Sequence, residues 1–213
     1  MTAPHRFLAL GDSYTVGEGL EPAASWPRQL AQMLAKQHLP TELKVLARTG
    51  WTTDELAQAL SDEARERRIV PPYALVSLSV GVNNQYRGRP VATFASDFAA
   101  LLDRAVALAG STAARVLVLS IPDWGHSPFA LSRGANRRQI ADQIDAYNAC
   151  KRELTQTRGA QWLDITPSSR EIGADFAPDG LHPGPRAYAH WAQAALAPAT
   201  RALSEEPPCP PLS

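Results

Sequence analysis

Five short apolar runs, each followed by a stretch of helical spacing, constrain this chain more than any other feature. The runs fall at residues 7–11, 43–47, 73–80, 116–120 and 161–165, bounded by Gly, Pro or polar residues. Short, nearly continuous apolar runs of this kind read as strands buried on both faces. Residues 26–36, 52–68, 93–109, 136–157 and 183–203 carry the intervening and closing helical patterns. Ser25 stands where the first of these helices needs an N-cap, with Pro27 in its first turn. Thr52 and Glu55 have the spacing of a capping box, and Pro198 is expected to end or kink the last helix. Strands alternating with helices pair in parallel through βαβ crossovers, with helices on both faces. The expected fold is therefore a three-layer α/β/α, doubly wound five-stranded parallel sheet in the order 2-1-3-4-5. Residues 1–203 are expected to form one domain, residues 166–181 to be irregular, and the Pro-rich residues 204–213 to be a disordered tail.

With 213 residues, 45% of them apolar and 20% charged, the chain can bury a core without a metal or a disulfide framework. Lys plus Arg and Asp plus Glu number 21 each, so there is no basic excess for a nucleic acid or an anionic membrane. No apolar run of about 18 residues is present, so no spanning helix is expected. Cys150 and Cys209 have no zinc-site spacing. Residues 1–10 lack the pattern of a secretory signal, which makes the cytoplasm the expected location. No cofactor and no metal are expected.

In a doubly wound sheet, ligands bind beyond the carboxyl ends of the strands. Gly11-Asp12-Ser13-Tyr14 follows the first run, Arg48-Thr49-Gly50-Trp51 the second, and Gly81-Val82-Asn83-Asn84 the third. Asp179-Gly180-Leu181-His182 precedes the last helix. A serine hydroxyl needs an adjacent base to become a nucleophile. His182 is a candidate for that base, and Asp179, three residues earlier, for the group that orients it. The backbone N–H groups of Ser13 and Gly50 and the side-chain amide of Asn83 are candidate donors to a developing oxyanion. Tyr14, Tyr86 and Trp124 are candidates for a substrate wall, and His126 lies in a loop that could line the site.

These four blocks resemble those of the SGNH hydrolases, the GDSL esterase/lipase superfamily. Ser13 matches its nucleophile, Gly50 its Gly block, Asn83 its Asn block, and Asp179 with His182 its last block. The resemblance runs from residue 6 to about residue 200, in the family's block order. It implies a three-layer α/β fold and hydrolysis of carboxylic esters through an acyl-serine. The chain departs from the pattern at Tyr14, where the family has Leu, and at Asn84, where it has Asp. The expected substrate is a small-molecule or sugar ester with a short, acetyl-type acyl group, the alternatives within the family being lysophospholipids and thioesters. A phosphate- or nucleotide-binding module fits less well, because residues 11–19 lack the Gly-Lys-Ser/Thr ending and the Gly-x-Gly-x-x-Gly spacing. A Gly-x-Ser-x-Gly elbow is also missing around Ser13.

Overall fold

The computed structural model describes residues 3–204. β1 (His5–Gly11) passes into the short α1 (Ser13–Val16), and α2 (Trp26–Lys36) follows. β2 (Thr41–Ala47) leads to α3 (Thr53–Arg65), and β3 (Leu75–Ser79) to α4 (Val82–Tyr86) and α5 (Val91–Leu108). After β4 (Val116–Leu119) come α6 (Pro128–Ser132) and the long α7 (Arg137–Thr157). β5 (Gln161–Leu163), α8 (Thr166–Arg170) and α9 (Pro185–Ser204) complete the described chain.

Among the described residues, five strands pair in parallel in the order β2-β1-β3-β4-β5, as the alternation predicts. β1, β3 and β4 occupy the centre, and Phe7, Leu8, Ala9, Leu10, Leu75, Leu78, Val116 and Val118 have no exposed surface. Helices cover these strands on both sides, so no polar face was required and their sequences read as unbroken apolar runs. The edges β2 and β5 are only partly buried, and β2 carries Glu42 and Lys44, charges that blunt an open edge. α2 packs on α9 to form one layer, and α3, α5 and α7 form the other. Phe94 of α5 meets Tyr147 of α7 at 4.7 Å between ring centres, and Phe98 stacks on Phe94 at 5.6 Å.

Several local expectations differ from the structure. Ser25 does occupy the N-cap position of α2, but its hydroxyl donates to the Pro22 carbonyl at 2.9 Å instead of accepting from the helix. α3 ends at Arg65, short of residue 68, because Arg67 adopts a left-handed conformation (φ 53°) that turns the chain away. Part of the 166–181 segment is the helix α8, with Pro167 in its first turn. Pro198 does not end α9, which continues to Ser204. The missing N–H costs about 3 kcal/mol in a helix interior. Burial of Ala195, Ala199, Ala202 and Leu203 around it offsets that cost. The Pro-rich stretch expected from residue 204 lies, apart from Ser204, outside the described residues, as does Cys209. Among the described residues no helix is long and apolar enough to cross a membrane.

Candidate active site

The site begins where β1 turns into α1. A Cβ on Gly11 would lie 2.5 Å from the Ser79 carbonyl oxygen and closer still to Thr15, so only glycine fits this strand-to-helix corner. Asp12 caps α1, its carboxylate accepting the Tyr14 N–H at 3.0 Å, and Ser13 becomes the first helical residue. His182 comes to it from the other end of the chain. The Ser13 Oγ lies 2.8 Å from His182 Nε2, and His182 Nδ1 lies 2.6 Å from Asp179 Oδ2. With the Nδ1 proton donated to Asp179, Nε2 is free to accept the Ser13 hydroxyl.

Asp179 and His182 are held by their own loop. Asp179 Oδ1 accepts the backbone N–H groups of Leu181 and His182 at 2.9 and 3.0 Å. The Phe129 N–H donates to the Gly180 carbonyl, and the Ala177 N–H to the His182 carbonyl. Burial pushes the Asp179 carboxyl up, but the bonds from the His182 ring and these two N–H groups outweigh it. Its pKa is held below the usual carboxylate range. His182 is 6% exposed, screened from water by the tilted Tyr14 ring at 5.0 Å.

Asn83 projects from α4, and its Nδ2 donates to the Trp51 carbonyl at 2.9 Å. An amide nitrogen has two protons, so one remains for a ligand. Arg87, at the other end of α4, donates to the Gly50 carbonyl at 2.7 Å and pairs with Glu55 at 3.3 Å. Two residues one helical turn apart thus grip two successive carbonyls of the Gly50 loop. Gly50 itself needs its positive φ (85°), and nothing but Arg87 lies within 4 Å of where a Cβ would stand. Asn84 is fully buried. Its Oδ1 accepts the Thr53 N–H at 3.1 Å, and its Nδ2 donates to the Thr53 hydroxyl at 2.8 Å. A neutral amide satisfies both contacts without burying a charge, which accounts for this departure from the family pattern. Asn84→Ala should cost about 1–3 kcal/mol by leaving the Thr53 N–H unpaired; a urea midpoint equal to wild type would show that the brace carries no stability.

A cavity of about 170 Å³ opens beside Ser13, Asn83 and His182, walled by Tyr14, Val82, Tyr86, Trp124, Phe129 and Leu181. Ser13, Asn83, His182, Tyr14, Tyr86 and Trp124 therefore share one space, with Asp179 directly behind His182. Gly50 does not line it, and reaches Asn83 through Trp51. Tyr14 is 4% exposed and also stacks on Trp191, so it serves as packing as well as wall. Tyr86 is 55% exposed at the rim, edge-on to Trp124 at 5.3 Å. His126 does not line the cavity; Arg137 donates to its Nδ1 at 2.6 Å.

Two features escape a reading of motifs. The Trp124 Nε1 donates to Gln85 Oε1 at 2.8 Å, and the Gln85 amide donates in turn to Gln143 of α7 at 2.8 Å. Lys151 of α7 is completely buried, its Nζ donating to the Val80 carbonyl at 2.8 Å and lying 5.2 Å from the Phe98 ring centre. It is coupled electrostatically to Asp12, which is also buried. Burial pushes Asp12 up to about 7 and Lys151 down to about 7, each partly restrained by the other's charge. The signal for Lys151 was present: Ile140, Ile144, Tyr147, Asn148, Lys151 and Thr155 mark the inward face of α7 at helical spacing.

Residues 9–190 match the GDSL-like Lipase/Acylhydrolase family. A search of the curated proteins gave no match. Among solved structures, TesA is similar with a TM-score of 0.72 at 19% identity, covering 93% of this chain and 99% of its own. The psychrotrophic esterase EstA from Pseudoalteromonas sp. gives 0.71 at 15% identity, with 94% and 100% covered. A mutant of Axe2, an acetyl-xylooligosaccharide esterase from Geobacillus Stearmophilus, gives 0.66 at 15% identity, with 95% of each chain covered. At such identities the likeness is one of fold. Since the family match spans all four motif-bearing loops, the chain belongs to the GDSL-like lipase/acylhydrolase family and is a hydrolase.

Proposed function

We propose that the protein hydrolyses carboxylic esters with short acyl groups through an acyl-enzyme on Ser13. The reading rests on one observation above all, the continuous chain from Ser13 Oγ to His182 Nε2 (2.8 Å) and from His182 Nδ1 to Asp179 (2.6 Å). In the first step Ser13 Oγ attacks the ester carbonyl carbon while its proton passes to His182 Nε2. Asp179, ionised because its loop favours the charged form, stabilises the imidazolium and keeps the ring oriented. The developing oxyanion accepts from the free Asn83 amide proton and from the Ser13 N–H, both on residues that line the cavity, while Gly50, which does not line it, supports Asn83 through the neighbouring Trp51 carbonyl. As the intermediate collapses, His182 hands its proton to the leaving alcohol. Water then attacks the acyl-serine, His182 takes one of its protons, and that proton returns to Ser13 as the acid leaves.

The cavity favours a short acyl group over the long chains of lysophospholipids. At roughly 30 Å³ for a group the size of a water molecule, 170 Å³ holds about five or six methyl-sized groups. An acetylated sugar fits this reading, and the likeness to an acetyl-xylooligosaccharide esterase agrees with it. The test is a fluorophosphonate probe, read by mass spectrometry, beside p-nitrophenyl esters from acetate to octanoate and acetylated sugars. A single adduct on the peptide carrying Ser13, with turnover of the short esters, is expected. No adduct and no turnover of any ester would reject the reading.

A further inference from the structure

A second, larger cavity of about 570 Å³ runs along α7, between Gln85, Arg89 and Pro90 on one side and Gln139, Gln143 and Tyr147 on the other. It shares no lining residue with the 170 Å³ pocket beside Ser13. The two are nevertheless adjacent in the chain and joined by one hydrogen bond. Gln85 lines the groove while Tyr86, the next residue, lines the pocket. Across the pocket the Trp124 indole N–H is bonded to Gln85 Oε1 at 2.8 Å. The bonded pair thus links a residue that lines the pocket, Trp124, to one that lines the groove, Gln85.

The pair is fixed in place. Gln85 is 5% exposed, and both ends of its amide are occupied, by Trp124 and by Gln143 Oε1 at 2.8 Å. The Trp124 ring is also packed edge-on by Tyr86 at 5.3 Å and by Phe129 at 6.5 Å. A planar ring held by a hydrogen bond at one edge and by aromatic rings around it has little freedom to swing aside.

We propose that Trp124, pinned by the Gln85–Gln143 amide relay, is the specificity-determining residue that ends the acyl pocket and shuts straight acyl chains out of the groove along α7. This deepens the ester-hydrolase reading and rests on it for the identity of the substrate. The ligand class is an unbranched aliphatic acyl group, accepted up to about five or six carbons by the volume argument. Longer chains meet the indole face and gain nothing from their extra carbons. Removing the ring joins pocket to groove, whose lining includes the apolar surfaces of Pro90, Val91, Ala146 and Tyr147.

The experiment compares wild type with Trp124→Ala and Gln85→Ala on p-nitrophenyl butyrate and octanoate, and on butyl and octyl acetate. Each newly buried methylene is worth roughly a fourfold gain, so two or more should raise the octanoate-to-butyrate ratio of kcat/KM at least tenfold in Trp124→Ala. Gln85→Ala, which frees the indole without deleting it, should raise the same ratio by a smaller factor. The ratio for the alkyl acetates should stay within about twofold, because the proposal sets the acyl chain, not the alcohol, against Trp124. An octanoate ratio unmoved in both variants, or a shift confined to the acetate series, overturns the proposal. Calorimetric binding of butanamide and octanamide reads the same wall without turnover. A selective gain for octanamide supports the proposal even if no ester is hydrolysed, and equal changes for both amides count against it. Should Trp124→Ala fail to fold, Trp124→Leu and Gln85→Ala carry the same comparison.

Discussion

Ser13→Ala is expected to lower kcat by about 10⁵–10⁶-fold, the loss typical of removing the nucleophile of a serine triad, while the fold persists. The alanine methyl fits where the Cβ already lies, and β1 and α1 do not depend on the hydroxyl. Asp12 still caps α1 through the Tyr14 N–H. The lost bond to His182 Nε2 should cost about 1 kcal/mol in stability. The proposed oxyanion donors remain in the variant, so a residual rate above water is expected. Combining Ser13→Ala with His182→Ala should add almost nothing to the loss, because the two groups act as one unit. Steady-state and single-turnover assays on p-nitrophenyl acetate measure both effects. Turnover within tenfold of wild type would remove Ser13 from the nucleophile's role.

Lys151→Met should destabilise the protein by about 1–3 kcal/mol at pH 7, because the buried Val80 carbonyl loses its donor. Methionine matches the length of the lysine stem, so packing against Phe98 is largely kept, and what changes is the charge coupled to Asp12 and the bond to Val80. The loss should depend on pH. Asp12 is raised from 3.8 to about 7, so between those values the folded state holds a proton the unfolded state has released, and stability falls as pH rises. Lys151 is lowered from 10.5 to about 7, so above 7 the folded state has released a proton the unfolded state keeps, and stability rises again. Without Lys151 the rising arm disappears, while Asp12, deprived of its counter-charge, continues to lose up to about 1.4 kcal/mol per pH unit above 7. The gap between wild type and variant, measured by urea unfolding, should therefore widen from about pH 7 to about pH 9. Adding Asp12→Asn should recover the part of the gap that grows above pH 7, since an amide still caps α1 and carries no charge. A gap that is constant across this range, with no recovery in the double variant, would show that the two groups are not coupled.

The two kinds of residue in these predictions were not equally legible in the sequence. Ser13 follows an apolar run that could only be a buried strand, and Asp179 and His182 lie three residues apart in one loop, so local order exposed them. The central strands were clear for the same reason: β1, β3 and β4 are buried on both faces and their sequences show it. Lys151 was hidden because a lysine in a polar helix normally faces water, and only the register of its apolar neighbours indicates otherwise. Helices α1, α4, α6 and α8 have four or five residues each, too few for a 3.6-residue period to show. The Trp124–Gln85 contact joins α4 to the segment after β4, 39 positions apart, and neither carries a pattern naming the other. The helix end expected as one outcome at Pro198 did not occur: the proline's local cost was visible in the sequence and the burial that offsets it was not.

Ser13 and His182 are 169 positions apart, and the histidine loop feeds directly into α9, which docks on α2. Under the proposed triad, a chain that lacks the last block would hold the serine without its base. Hydrolysis by that triad requires the loop carrying Asp179 and His182 to be laid against Ser13 at the end of β1. On that proposal, a fluorogenic ester added to a refolding reaction would report when Ser13 and His182, 169 positions apart, come together.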